Sequence, residues 1–132
     1  MLLESEKHFG FAKGERLCGR ETISSLFKEG EGRVIYPFRI VQRRVDREGF
    51  PVCILLSVAK KRFKHAVDRN RIKRLIRETY RLNKSILWNS LREKDYSLHI
   101  AFVYIGEKVE KFPLMQEKMI KVLTQIKEHL GE

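Results

Sequence analysis

Between Lys60 and Lys84 the chain carries 11 basic residues against only Asp68 and Glu78, a net charge of +9 in 25 residues. In the same stretch Ile72, Leu75, Ile76, Thr79 and Leu82 fall within an arc of about 120° when residues are placed at 100° steps. The spacing predicts one amphipathic helix with a cationic side, on which Arg69, Lys73, Arg77 and Arg81 recur every four residues with Asn70 and Arg74 beside them. Its apolar side needs a sheet to cover. The run just before it supplies a strand: Val52, Cys53, Ile54, Leu55, Leu56 and Val58, within Pro51 to Ala59, form a nearly unbroken apolar stretch. A run of this length is expected in the centre of a sheet, buried on both faces.

The other 107 residues hold 17 basic and 15 acidic groups, so the surplus of +11 in this 132-residue chain sits almost wholly in one element. The length favours a single domain over residues 1 to 132. Residues 1 to 14, with Gly10 and Gly14 and the anchors Phe9 and Phe11, read as an extended arm lying on it. Arg20 to Lys28 reads as a short helix through Ile23, Leu26 and Phe27, stopped by Gly30 and Gly32. Val34 to Val45 is β-rich, and Pro37 sends its first part to an edge or to a separate short strand. Asp46 to Gly49 makes a turn. Tyr96 to Ile105 is a strand with Leu98, Ile100, Phe102 and Tyr104 on one face, and a last helix carries Met115, Met119, Val122, Leu123, Ile126 and Leu130 after Pro113. The order is helix, strands, helix, strand, helix, an α+β arrangement.

Side chains at i and i+4 on a helix lie about 6 Å apart, close to the spacing of phosphates along a nucleic-acid strand. Arginine suits that role because its planar fork grips a phosphate through two hydrogen bonds, and Arg69, Arg71, Arg74, Arg77 and Arg81 outnumber Lys73 here. A merely solvated helix face would interleave more acids, so the surplus points to a polyanionic partner. Nucleic acid leads, and an anionic membrane surface follows. No apolar stretch reaches the roughly 20 residues of a membrane span. Cys18 and Cys53 match neither a metal knuckle nor a disulfide framework, so reduced thiols and a cytoplasmic location are expected.

The segment AVDRNRIKRLIRE, Ala66 to Glu78, preceded by LSVAKK, Leu56 to Lys61, resembles the signature of the protein subunit of bacterial ribonuclease P. The similarity extends outwards through Phe11, Lys13, Arg16, Leu17, Leu26, Phe27, Gly30, Phe38 and Asp95 to Ile105, covering roughly residues 11 to 127. It implies an αβββαβα sandwich with a four-stranded sheet and a left-handed crossover through the basic helix, like a domain of a small-subunit ribosomal protein. It implies that the protein binds a catalytic RNA, which removes the 5′ leader of precursor tRNA using Mg²⁺ held at the RNA, and that the protein itself binds no cofactor. On that resemblance Lys60, Lys61, Arg69, Asn70, Arg71, Lys73, Arg74, Arg77 and Arg81 face the catalytic RNA. Phe11, Lys13, Arg16, Ile23, Phe27, Phe38 and Val41 belong to a cleft for the single-stranded leader. Ile23 stands where an aromatic is common and Val41 where a tyrosine occurs, which weakens base stacking. From spacing alone, Phe27 and Phe38 read as ordinary core.

The residues offer little for an autonomous active site. His8, His65, His99 and His129 lie far apart, and His99 in an apolar strand reads as a satisfied structural residue. No Lys-Ser or Lys-Thr follows Gly30 or Gly32 to make a phosphate loop, and Glu21, Glu29 and Glu31 read as solvated surface. No catalytic and no metal residue is therefore assigned. Two other readings compete: a structural RNA-binding protein of ribosomal type, and a DNA binder using the basic helix in a major groove, for which no half-site partner is evident.

Overall fold

A computed structural model describes residues 10–130, so Phe9, His8 and the rest of the expected arm before Gly10 lie outside the described residues. After a single 3-10 turn at Lys13–Glu15 come α1 (Arg20–Glu29), β1 (Glu31–Ile35), β2 (Phe38–Asp46), β3 (Val52–Val58), α2 (Ala66–Asn83), α3 (Ser85–Leu91), β4 (Tyr96–Tyr104) and α4 (Phe112–Leu130). The sheet order is β1-β2-β4-β3. β2 pairs antiparallel with β1 and β4, while β3 runs parallel to β4. The connection from β3 to β4 crosses over through α2 and α3. Pro37, after a cis Tyr36-Pro37 bond, separates β1 as an edge strand from β2.

Alternation along the strands divides two cores. On one face Phe38, Ile40, Ile54, Leu98, Ile100, Phe102 and Tyr104 pack against Ile72, Ile76 and Tyr80 of α2, Leu87 and Leu91 of α3, and the apolar stripe of α4. On the other, Val41, Ala101 and Leu55 lie under Leu26 of α1 and Leu17. Helix α1 can descend onto β2 because Gly30 has no side chain: a Cβ there would stand 2.4 Å from the Leu26 carbonyl oxygen and 2.7 Å from Val41. Gly19 starts the same helix at φ 94°, a conformation that favours glycine.

Three expectations change. β3, read as central, is an edge strand, and the truly central, doubly buried strand is β4. The rim of β3 is covered by the arm, which continues past residue 14 through the 3-10 turn to Leu17: Leu17 N–H donates to the Ile54 carbonyl at 2.8 Å and Arg16 bridges Ile54 in parallel. An edge shielded in this way needs the same two-sided apolar sequence as a central strand. Helix α3 was not foreseen; its Leu87 and Leu91 are one turn apart and fully buried. Tyr80, outside the apolar set read for α2, is wholly buried, and burial pushes its phenol well above the ordinary tyrosine value while Trp88 Nε1 donates to its oxygen at 3.0 Å.

Candidate nucleic-acid interface

With Ile72, Ile76, Thr79 and Tyr80 turned into the core, helical periodicity forces the cations of α2 outward. Asn70, Arg71 and Arg74 are exposed, as are Lys60 and Lys61 in the preceding loop. The four-residue ladder is more differentiated than its spacing implies. Arg69 is half-buried, and its Nη1 donates to the Phe63 carbonyl at 2.6 Å and the Lys64 carbonyl at 3.0 Å, tying the loop to the helix. Arg81 is engaged by Glu78 through Nη2 and through Nε, the latter at 3.2 Å. These bonds hold the Glu78 carboxyl below its ordinary value and push Arg81 higher still. Lys84, counted with the basic segment, points inward and is 1% exposed.

Lys73 and Arg77 lie where α2 meets the rim of β3. Together with Phe11, Arg16 and Leu17 from the arm and Ile54, Leu55 and Leu56 from β3, they line a pocket of about 170 Å³. Three cations surround an apolar floor with no carboxylate in the lining, and Arg77 Nε is buried without a hydrogen-bond partner among the described residues. The structure thus joins two groups that the sequence kept apart, Phe11 and Arg16 from one and Lys73 and Arg77 from the other. Lys13 is exposed on the same arm.

The expected cleft between α1 and the sheet is assembled only in part. Leu26, 0% exposed, fills the space over Val41, itself 4% exposed, while Ile23 is half-buried and Phe27 stands 45% exposed. Phe38 points the other way and does not reach the cleft. It is wholly buried on the opposite face, edge-on to Phe102 and Tyr104 with ring centroids 6.1 and 6.2 Å away. The strand period of two decides this, because Phe38 and Ile40 share a face and Val41 takes the other. Core packing thus describes Phe38 but not Phe27. A groove of about 630 Å³ beside α1 sets Arg43, Arg44 and Arg47 against Glu21, Asp46 and Glu48, with His99 in its wall. The sequence reading missed these arginines; Arg43 shares the strand face of Arg39, Val41 and Val45, whereas Arg44 has the opposite parity and Arg47 follows the end of β2, so no single strand pattern marks all three.

His99 is 5% exposed, and its Nε2 lies 2.7 Å from Glu48 Oε1, but its Nδ1 is buried without a hydrogen-bond partner among the described residues, so the expectation of a satisfied structural histidine is met at one ring nitrogen and fails at the other. Burial raises the Cys53 thiol from 9.0 to about 11, while Cys18 is exposed. Among the described residues no group of three or more His, Cys, Asp or Glu is placed to hold a metal ion, and no helix is long and apolar enough to cross a membrane.

The family model for ribonuclease P matches residues 11–127. The chain belongs to the ribonuclease P protein family. A ribonuclease P protein component of Porphyromonas gingivalis is 42% identical over 125 residues, spanning 94% of this chain and 91% of the relative. That of Chlorobaculum tepidum is 38% identical over 139 residues, spanning 98% and 89%. Among solved structures, the ribonuclease P protein of Staphylococcus aureus superposes with a TM-score of 0.67 at 24% identity, covering 86% of this chain and 96% of that one. The Thermotoga maritima protein gives 0.66 at 23%, covering 83% and 96%. These two likenesses show that the four-stranded α+β fold is that of ribonuclease P proteins.

Proposed function

We propose that this ribonuclease P protein acts as an accessory subunit whose catalytic RNA partner carries the hydrolysis. The observation that carries this reading is the grouping of Lys73, Arg77 and Arg16 around one pocket whose lining, among the described residues, holds no carboxylate, on the helix that also exposes Arg71 and Arg74. Cations left without acidic partners neutralise phosphates and release counterions, a sequence-independent source of affinity. The exposed face of α2, with Lys60 and Lys61, takes the catalytic RNA. The arm pocket and the exposed Phe27 of α1 take the single-stranded 5′ leader, by phosphate contact at Arg16 and base stacking at Phe27. Mg²⁺ is needed by the RNA-containing holoenzyme rather than held by this chain, and the complex works in the cytoplasm.

The deciding experiment mixes the protein with in vitro transcribed catalytic RNA and precursor tRNA at low Mg²⁺. Leader removal that neither component gives alone is expected. Specific cleavage at the mature 5′ end by the protein without RNA would overturn the assignment of chemistry to the RNA. A ribosomal-type or DNA-binding role would leave the low-Mg²⁺ reaction unassisted.

A further inference from the structure

We infer that the buried ion pair between Glu15 and Lys84 is a positioning device that docks the arm so that Arg16 completes the cationic pocket with Lys73 and Arg77. The inference rests on the RNA-binding reading above and adds to it the residues that assemble the site. Lys84 Nζ lies 2.8 Å from Glu15 Oε1, and the two side chains are 1% and 3% exposed although 69 residues separate them in sequence. Both partners are fully coordinated. Glu15 Oε2 accepts the Ala12 N–H at 2.6 Å, and Lys84 also donates to the Gly10 carbonyl and sits 4.2 Å over the Trp88 ring.

The consequences run directly into the pocket. With Gly10 and Ala12 fixed, Phe11 packs edge-on to Tyr80 at 6.2 Å, and the Arg16 guanidinium lies 5.5 Å over the Phe11 ring. Phe11, Arg16, Lys73 and Arg77 then line one cavity. A buried ion pair is a poor source of net stability, because desolvation offsets its attraction and apolar residues of similar size serve as well. What it adds is direction: the pair is satisfied only when a short arm, with one 3-10 turn of its own, adopts a single register on α2 and β3. Lys84 stands at the junction of α2 and α3, so the same contact couples the arm to the end of the basic helix.

The test is a double-mutant cycle in the reconstituted holoenzyme, read as the ratio of affinities for precursor tRNA bearing a leader and for mature tRNA. Arg16→Ala is expected to lower that ratio about tenfold, the effect of losing one charge-assisted contact. Glu15→Gln is expected to lower it by a similar factor, with less than about twofold further loss when Arg16→Ala is added, since residues acting as a unit are non-additive. Trypsin should also cut faster after Lys13 and Arg16 in Glu15→Gln while the sheet persists by circular dichroism. If Glu15→Gln alone fails to fold, the same cycle is run in Glu15→Gln/Lys84→Met, which strands neither charge. Equal losses from Arg16→Ala in both backgrounds would overturn the inference. So would collapse of the whole fold in both variants, because a pair that only places the arm is dispensable to the sheet. Failure of the unmodified protein to assemble with catalytic RNA would instead overturn the underlying reading.

Discussion

Arg69 reaches back to the carbonyl of Phe63, donating from Nη1 at 2.6 Å, and so closes the loop that carries Lys60 and Lys61 onto the first turn of α2. One arginine of the ladder thus serves the fold, whereas Arg74, one turn and a residue further on, is exposed to solvent.

Arg69→Ala is accordingly expected to cost about 1–2 kcal/mol of stability through its lost carbonyl contacts, together with RNA affinity. Arg74→Ala should weaken assembly with catalytic RNA at unchanged melting temperature, since exposed charges contribute little to stability. Thermal melts and RNA titrations on the two variants separate these effects. Equal melting temperatures for both would refute the structural role of Arg69.

Salt dependence counts the phosphate contacts. If the exposed Lys60, Lys61, Arg71 and Arg74 each engage one phosphate of the catalytic RNA, the logarithm of that binding constant should fall with the logarithm of salt concentration at a slope of roughly −2.8 to −3.6. Arg74→Glu should flatten it by about one unit. Arg81→Ala should alter it less, because Glu78 already neutralises Arg81 through its two hydrogen bonds.

Phe27 and Phe38 should behave oppositely. Phe38→Ala removes a wholly buried ring and is expected to cost about 3–5 kcal/mol. Phe27→Ala should leave the melting temperature nearly unchanged and lower affinity for the leader by about 1–3 kcal/mol, with the salt slope preserved. A collapsed melting temperature in Phe27→Ala, at unaltered leader affinity per folded molecule, would return Phe27 to the core.

The two cysteines offer a pH test. Cys53 is buried, its Sγ donates to the Gly14 carbonyl at 3.3 Å, and its thiol is raised from 9.0 to about 11. The folded state therefore favours the protonated thiol: this stabilisation is complete below pH 9 and is lost as pH rises through about 11. The stability difference between the unmodified protein and Cys53→Ala should shrink across that window. At neutral pH an alkylating reagent should label exposed Cys18 rapidly and Cys53 only after unfolding.

Elements whose patterns are local were legible before folding was considered. The apolar arc from Ile72 to Ile76 and its opposing cations appear as α2, and the two-faced stretch from Leu98 to Tyr104 appears as β4, because periods of 3.6 and 2 are set by backbone geometry alone. The motif around Arg69-Asn70-Arg71 was enough to reach the family. Tertiary structure decided what no local period encodes. An apolar run such as Val52 to Val58 looks alike in the middle of a sheet and at an edge sealed by Leu17, and only pairing order separates the two. A lysine in a basic stretch is indistinguishable from its neighbours until a carboxylate from 69 residues away meets it, as Glu15 meets Lys84. Phe27 and Phe38 carry the same ring, yet one is held in solvent because Leu26 already fills the ground over Val41, and the other is driven inside by the parity of β2. The pocket shared by Arg16 and Arg77 belongs to this second class. It exists only once the arm has closed on the rim of β3, a contact fixed by the free energy of the whole chain rather than by any segment of it.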